Sequence, residues 1–299
     1  MLERLIPALT GVTDAFELLL IEDGSDDGSW RVIEAAAAHD ARVRGVRLSR
    51  NYGQQNALLC GIRAARYDVI LTMDDDLQHP VAAIGPLLAA LVPDVDIVYG
   101  AFATARHGTM RVFGSRLTRL ALAGAMGAQA ARHVSALRVF RTRLRDGFAD
   151  YRGPSVSIDV LLSWTTSRVA AVPVQHAPRL HGCSGYTAGA LLRHALDLVT
   201  GFSIWPLQVA SVIGFVFVVF GAAALLWVLV NYAVQGNAVP GFAFLASLVT
   251  IFSGAQLFAL GIFGEYLARI HLRGSRRPAY LVRSVTGPER TVLDTNNAP

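Results

Sequence analysis

Three adjacent carboxylates, Asp74-Asp75-Asp76, close an apolar run from Tyr67 to Met73 and are followed by Gln78, His79 and Pro80. Neighbouring carboxylates repel, so the cluster adds nothing to stability by itself. A divalent cation would offset that repulsion, and Mg2+ or Mn2+ commonly takes one or two carboxylates together with substrate phosphates. A second acidic stretch, Glu22-Asp23-Gly24-Ser25-Asp26-Asp27-Gly28-Ser29, follows the apolar run Phe16–Ile21. An acid at a strand end can hydrogen-bond a base or ribose, and Gly24 lets the backbone come close to a ligand. Each stretch alone is equally compatible with an acidic turn capping the next helix. Two such strand ends in one sheet, about fifty residues apart, would jointly hold a nucleotide and its metal.

The elements that must position these residues alternate. Residues 2–10 read as an amphipathic helix, and Phe16–Ile21, Val43–Leu48, Tyr67–Met73 and Asp96–Tyr99 as strands. Helical spacing fills Asp26–Ala38, Gln55–Ala65 and Val81–Leu91. This alternation predicts an α/β domain, doubly wound around a mostly parallel sheet. Two further strands are expected at residues 134–140 and 168–174, with a helix at Ile158–Trp164 between them. Residues 104–127 interleave Arg106, Arg111, Arg116 and Arg119 with apolar residues, the pattern of a helix lying on a membrane surface or covering the domain.

Composition divides the chain. It is 53% hydrophobic and 16% charged, and no Asp, Glu, Lys or Arg lies between Asp197 and Glu265. Leu207–Val230 and Gly241–Gly264 are long enough, at about 1.5 Å per residue, to cross a hydrocarbon core of about 30 Å. Arginines flank this unit, which predicts both ends cytoplasmic and the uncharged linker Asn231–Pro240 outside. All 27 basic residues are arginine, and the net charge of +5 suits phosphates or an anionic bilayer. Nucleic acid is the alternative for a basic chain, but no signature of a nucleic-acid-binding module is present. The two cysteines, Cys60 and Cys183, form no disulfide framework or metal pair.

Three segments carry a specific resemblance: EDGSDDGS (22–29), LSRNYGQQNAL (48–58) and MDDDLQHP (73–80). Together with PRLHGCSGYT (178–187) and FGEYLARIH (263–271), they resemble the family 2 glycosyltransferases of GT-A fold, in particular the polyprenyl-phosphate hexosyltransferases. The resemblance implies an inverting, metal-dependent transfer of a hexose from a nucleotide sugar to polyprenyl phosphate at a cytoplasmic membrane face. Glucose from UDP-glucose is the expected donor group, and a homo-oligomer is compatible with the membrane unit. By the same resemblance Asp74, Asp76 and Gln78 hold Mg2+ or Mn2+. Asp23, Gly24, Ser25 and Asp75 line the donor, while Arg138, Arg179 and Ser184 meet phosphates. Asp159 is a candidate for assisting the acceptor, with helix capping as its alternative.

The expected organisation is a catalytic domain over 1–190, an interfacial helix over 191–206, two spans over 207–272 and a cytoplasmic tail over 273–299, polar from about Thr286. The resemblance also places a strand with a Val-x-Pro-x-Tyr-Asn-Glu segment ahead of Met1–Leu5. In the sheet it would lie between the strands containing Phe16–Ile21 and Tyr67–Met73. A start upstream of Met1 is the expectation, and a catalytically inactive membrane scaffold the alternative. A processive polysaccharide synthase would need more spans and a Gln-x-x-Arg-Trp-like string, and the sequence contains neither.

Overall fold

The computed structural model describes residues 1–75, 79–102, 134–153, 156–174, 205–235, 241–275 and 277–288. Helix α1 (Leu2–Thr10) leads into strand β1 (Leu18–Glu22), helix α2 (Ser29–His39), strand β2 (Val43–Leu48), helix α3 (Gln54–Ala64) and strand β3 (Val69–Thr72). A 3-10 turn at Val81–Ala83 and helix α4 (Ile84–Ala89) precede strands β4 (Ile97–Phe102) and β5 (Arg138–Arg141). A 3-10 segment (Thr142–Phe148), helix α5 (Ile158–Ser163) and strand β6 (Val169–Val174) complete this part. Two long helices follow, α6 (Trp205–Gln235) and α7 (Phe242–Gly274), and then a last strand, β7 (Val282–Thr286). The basic helix expected at 104–127 and the interfacial helix expected to begin at Leu191 lie outside the described residues.

The strands form two sheets, ordered β1-β2-β7 and β3-β5-β4-β6. β1 and β2 are parallel across α2, as are β4 and β6, in line with the alternating pattern. The sheet is nevertheless mixed rather than mostly parallel. β5 runs antiparallel to both β3 and β4, and β7 antiparallel to β2. Both exceptions enter after long intervening segments, which free them from the right-handed crossover that a short β-α-β unit imposes.

Among the described residues, β1 and β3 each keep one edge without a strand partner. Side chains bridge these edges: Leu18, Leu20, Leu71 and Met73 share one cluster with Leu5, Ile6 and Leu9 of α1 and Ile84 of α4. A larger cluster joins Val46 and Leu48 of β2, Leu59 and Ile62 of α3, Ile70, Tyr99, Phe140 and Leu161. Each buried aliphatic side chain there contributes about 1.5–3 kcal/mol, so the core binds both sheets together.

Part of the segment expected as a cytoplasmic tail over 273–299 joins a sheet. Val282–Thr286 alternates Val-Arg-Ser-Val-Thr and adds β7 to β2, with Leu48 opposite Val282 and Gly45 opposite Thr286. Helices α6 and α7, of 31 and 33 residues, are long and apolar enough to cross a bilayer by length and composition. They pack on each other through the rings of Phe217 and Phe252, 5.4 Å apart and edge to face. Gly221 makes room for that contact, since a Cβ there would stand 3.1 Å from the Phe252 ring.

Candidate active site

The carboxyl ends of β1, β2 and β3 carry the candidate site, the position that open α/β sheets use for ligands. Glu22, the last residue of β1, is buried and accepts the Ser25 backbone N–H and the Arg47 Nε–H, the latter at 2.9 Å. Asp23 points the other way. Its two oxygens accept the backbone N–H groups of Tyr52 and Gly53 at 2.8 and 2.7 Å, which fixes the turn leading into α3. Gly24 has φ +71, and a Cβ built on it would stand 2.3 Å from the Arg50 carbonyl carbon and 2.6 Å from the Asn51 nitrogen. Two loops therefore pass in direct backbone contact. Ser25 donates its hydroxyl to Asp27 at 2.8 Å. Hydrogen bonds from Ser29, and then from Ser25, hold the Asp27 carboxyl at about 2, so it stays ionised ahead of α2.

The Asn-Tyr-Gly-Gln-Gln-Asn stretch at 51–56 wires this turn to the acidic cluster. Gln54 donates to Asp74 Oδ1 at 2.6 Å, and Gln55 Oε1 accepts the Ile158 N–H at 3.0 Å. Asp74 is half-buried just beyond β3, its own N–H donating to His79 Nδ1 at 3.2 Å. Asp75 is exposed. Hard carboxylate oxygens at a strand end suit Mg2+ or Mn2+. Asp76 and Gln78 lie outside the described residues, as do Arg179 and Ser184.

Beneath Asp74 lies a buried polar network. Arg138 is 1% exposed and Tyr99 is equally buried. Arg138 Nη1 pairs with Asp159 Oδ1, its Nε donates to Thr72 Oγ1 at 3.0 Å, and the Tyr99 hydroxyl donates to the same Asp159 oxygen at 3.0 Å. Thr72 Oγ1 in turn donates to the Ala136 carbonyl at 2.9 Å. Burial opposes the Arg138 charge. The Asp159 carboxylate, Tyr99 and Asp74 together outweigh it, and the guanidinium pKa rises. Burial, then the Asp159 charge, pushes the Tyr99 phenol well up, so its hydroxyl remains a donor.

Arg138, expected at a phosphate, lies opposite Thr72 at the end of β3, where its guanidinium is held by Asp159 and Thr72. Asp159 lies in the first turn of α5, and its Oδ1 accepts from both Arg138 and Tyr99. Glu22, Arg47, Gln54, Thr72, Tyr99 and His79 were not anticipated. The signal that could have found Gln54 is the run of amide side chains directly after β2, at the helix start that faces the acid cluster.

The family model for glycosyl transferase family 2 matches residues 1–146. Over 288 residues the chain is 33% identical to the undecaprenyl-phosphate 4-deoxy-4-formamido-L-arabinose transferase of Pseudomonas aeruginosa, covering 95% of this chain and 85% of the relative. The chain belongs to glycosyl transferase family 2. A transferase of the same name from Shewanella sediminis is 32% identical to this glycosyltransferase over 294 residues, 97% of this chain and 89% of the relative. Among solved structures, glucosyl-3-phosphoglycerate synthase from Mycobacterium tuberculosis, in complex with Mn2+, UDP-glucose and phosphoglyceric acid, is a more distant likeness. It shares 18% identity, covers 66% of this chain and 73% of that chain, and has a TM-score of 0.48.

One prediction arises directly from the loop contact. Gly24→Ala in the glycosyltransferase places a methyl group into the Arg50–Asn51 backbone at a positive φ, so one of the two loops must move. Donor affinity is expected to fall about tenfold, equivalent to about 1.4 kcal/mol. Titration of a nucleotide sugar by calorimetry measures it, and unchanged affinity would show that the loop pair is remote from the donor.

Proposed function

We propose that this glycosyltransferase moves a sugar from a UDP-sugar to polyprenyl phosphate at a membrane surface. The observation that carries the reading is the meeting of Asp23, Gln54 and Asp74 at one end of the sheet, in a chain that also has two helices able to span a bilayer. The names of the relatives, transferases acting with undecaprenyl phosphate, support the acceptor.

In this reading Asp23 has lone pairs left for the nucleoside after holding Tyr52 and Gly53. Gly24 and Ser25 bring backbone close to the donor. Asp74, Asp75, Asp76 and Gln78 would hold Mg2+ or Mn2+, and such an ion supplies charge neutralisation for a departing diphosphate. A phosphate-monoester oxygen is already ionised near neutral pH, so its attack on the anomeric carbon, with inversion, needs no strong base. That agrees with an Asp159 committed to Arg138. Arg179 and Ser184 remain the proposed contacts of the acceptor phosphate.

The pairing of β2 with β7 supports the membrane topology. Both strands belong to one sheet, so the chain before α6 and the chain after α7 lie on the same side. Two crossings satisfy this and one does not. Arginines at 269, 273, 276 and 277 favour the cytoplasmic side for both.

Two donors deserve direct comparison. The motif resemblance points to glucose, whereas the relatives are named for a formamido-substituted pentose. The full chain, purified into vesicles containing undecaprenyl phosphate, is to be given labelled UDP-glucose or the UDP-linked 4-deoxy-4-formamido-L-arabinose. Label entering the lipid fraction identifies the donor. Label from neither of these, nor from other UDP-sugars, would leave the inactive scaffold as the better reading.

A further inference from the structure

We propose that residues 277–288 form a strap, anchored by Tyr280, that holds the site end of the catalytic domain towards the bilayer. The proposal rests on the acceptor reading above, in which the sugar goes to a phosphate embedded in the membrane.

Helix α7 ends at Gly274 and β7 begins at Val282. The link between them, at about 3.3–3.6 Å per residue, reaches no more than about 25 Å. β7 runs antiparallel to β2, so its membrane-proximal end, Val282, sits opposite Leu48 at the carboxyl end of β2. The Ser49 N–H donates to the Leu281 carbonyl at 2.9 Å at this same end. Here the loop from Ser49 to Gly53 begins, held by Asp23 and continuing to Gln54 and Asp74. The strap therefore leaves the membrane helix, meets the sheet beside the site, and runs away from it. At its far end Arg66 Nη2 donates to the Pro288 carbonyl at 3.2 Å.

Tyr280 fastens the strap. It is 5% exposed and belongs to the main core cluster with Leu59 and Ile62. The Arg63 guanidinium lies 5.8 Å from its ring centre, and Cys60 belongs to the same cluster. A second short attachment restricts the rotation of the domain and raises the effective concentration of the site at the headgroups. Tyr280 is thus a positioning residue, acting through β7 and the loop after β2.

The test uses the full chain in phosphatidylethanolamine–phosphatidylglycerol vesicles containing undecaprenyl phosphate. Val285→Pro, which breaks the β2–β7 ladder, and Tyr280→Ala should lower transfer about tenfold there, yet change transfer to a short, water-soluble prenyl phosphate by no more than about twofold. Tyr280→Phe, which keeps the ring buried, should behave as the parent with both acceptors. Equal losses with both acceptors, or loss with neither, overturn the strap. A second measurement does not depend on catalysis. Nitroxide-labelled lipids should quench a fluorophore on Arg50→Cys, beside the site, more strongly than one on Asp94→Cys, before β4 at the opposite end of the sheet. Val285→Pro should remove that difference. Equal quenching in the parent background overturns the orientation. If the parent transfers sugar to neither acceptor, the acceptor reading fails while the quenching still decides the strap.

Discussion

Replacing Asp74 by asparagine should lower sugar transfer by about a hundredfold, equivalent to about 2.7 kcal/mol, with little effect on thermal unfolding. Asparagine keeps the size of the side chain and an oxygen able to accept the Gln54 amide, whose bond to Asp74 Oδ1 is 2.6 Å. Asp74 is only half-buried, so losing its charge leaves the core intact. What disappears is a hard anionic oxygen, the donor type on which a small divalent cation depends. The variant should therefore need a higher Mn2+ or Mg2+ concentration for half-maximal rate, as well as having a lower ceiling. Initial rates across a metal titration, alongside a melting curve, separate these effects. A rate close to the parent's would remove Asp74 from the proposed ligand set.

The second large effect lies in the buried pair. Arg138→Met and Asp159→Asn each strand one partner in the core, a change that typically costs about 3–5 kcal/mol and should lower Tm by roughly 10 °C. Arg138→Met also strips Thr72 of its guanidinium donor, at the end of the strand that leads to Asp74. The double variant Arg138→Met/Asp159→Asn leaves neither charge unpaired, so its loss should be clearly smaller than the sum of the two single losses. A base at Asp159 would behave differently: Asp159→Asn would abolish the rate at nearly unchanged Tm, and the second substitution would not restore stability. Melting curves of the three variants, with rates measured well below each transition, distinguish the two roles.

Which parts of this structure could be read from sequence follows from the range of the interactions. Val43–Leu48 is a strand within the bounds its pattern predicts, because alternation and flanking turns are local. The acidic strand ends at Asp23 and Asp74 were visible for the same reason, as residue types at element boundaries. The bonds of Arg138 to Asp159 and Thr72 were not legible, because a four-residue strand does not reveal which face its arginine takes. Its partner, Asp159, comes from another element altogether. Strand β7 escaped notice because Val282–Thr286 is short and follows a charged stretch. Its partner strand lies more than two hundred positions earlier in the chain, and no local window spans that distance. The wiring of Gln54 to Asp74 was hidden likewise: motif resemblance marked the amide run, but only the approach of α3 to the end of β3 assigns its task.

The pairing of β2 with β7 also sets an order of events during synthesis. Leu48 leaves the ribosome roughly 230 residues before Val282, which at about 5–20 residues per second is a delay of roughly 10–50 s. Throughout that interval the outer edge of β2 has no partner strand, and the loop carrying Gly53 and Gln54 lacks the Leu281 carbonyl that later caps Ser49. The residues made in between include the two apolar helices. The edge of β2 is thus covered only after the membrane unit has been synthesised, so β7 joins the sheet on chains that already carry their anchor.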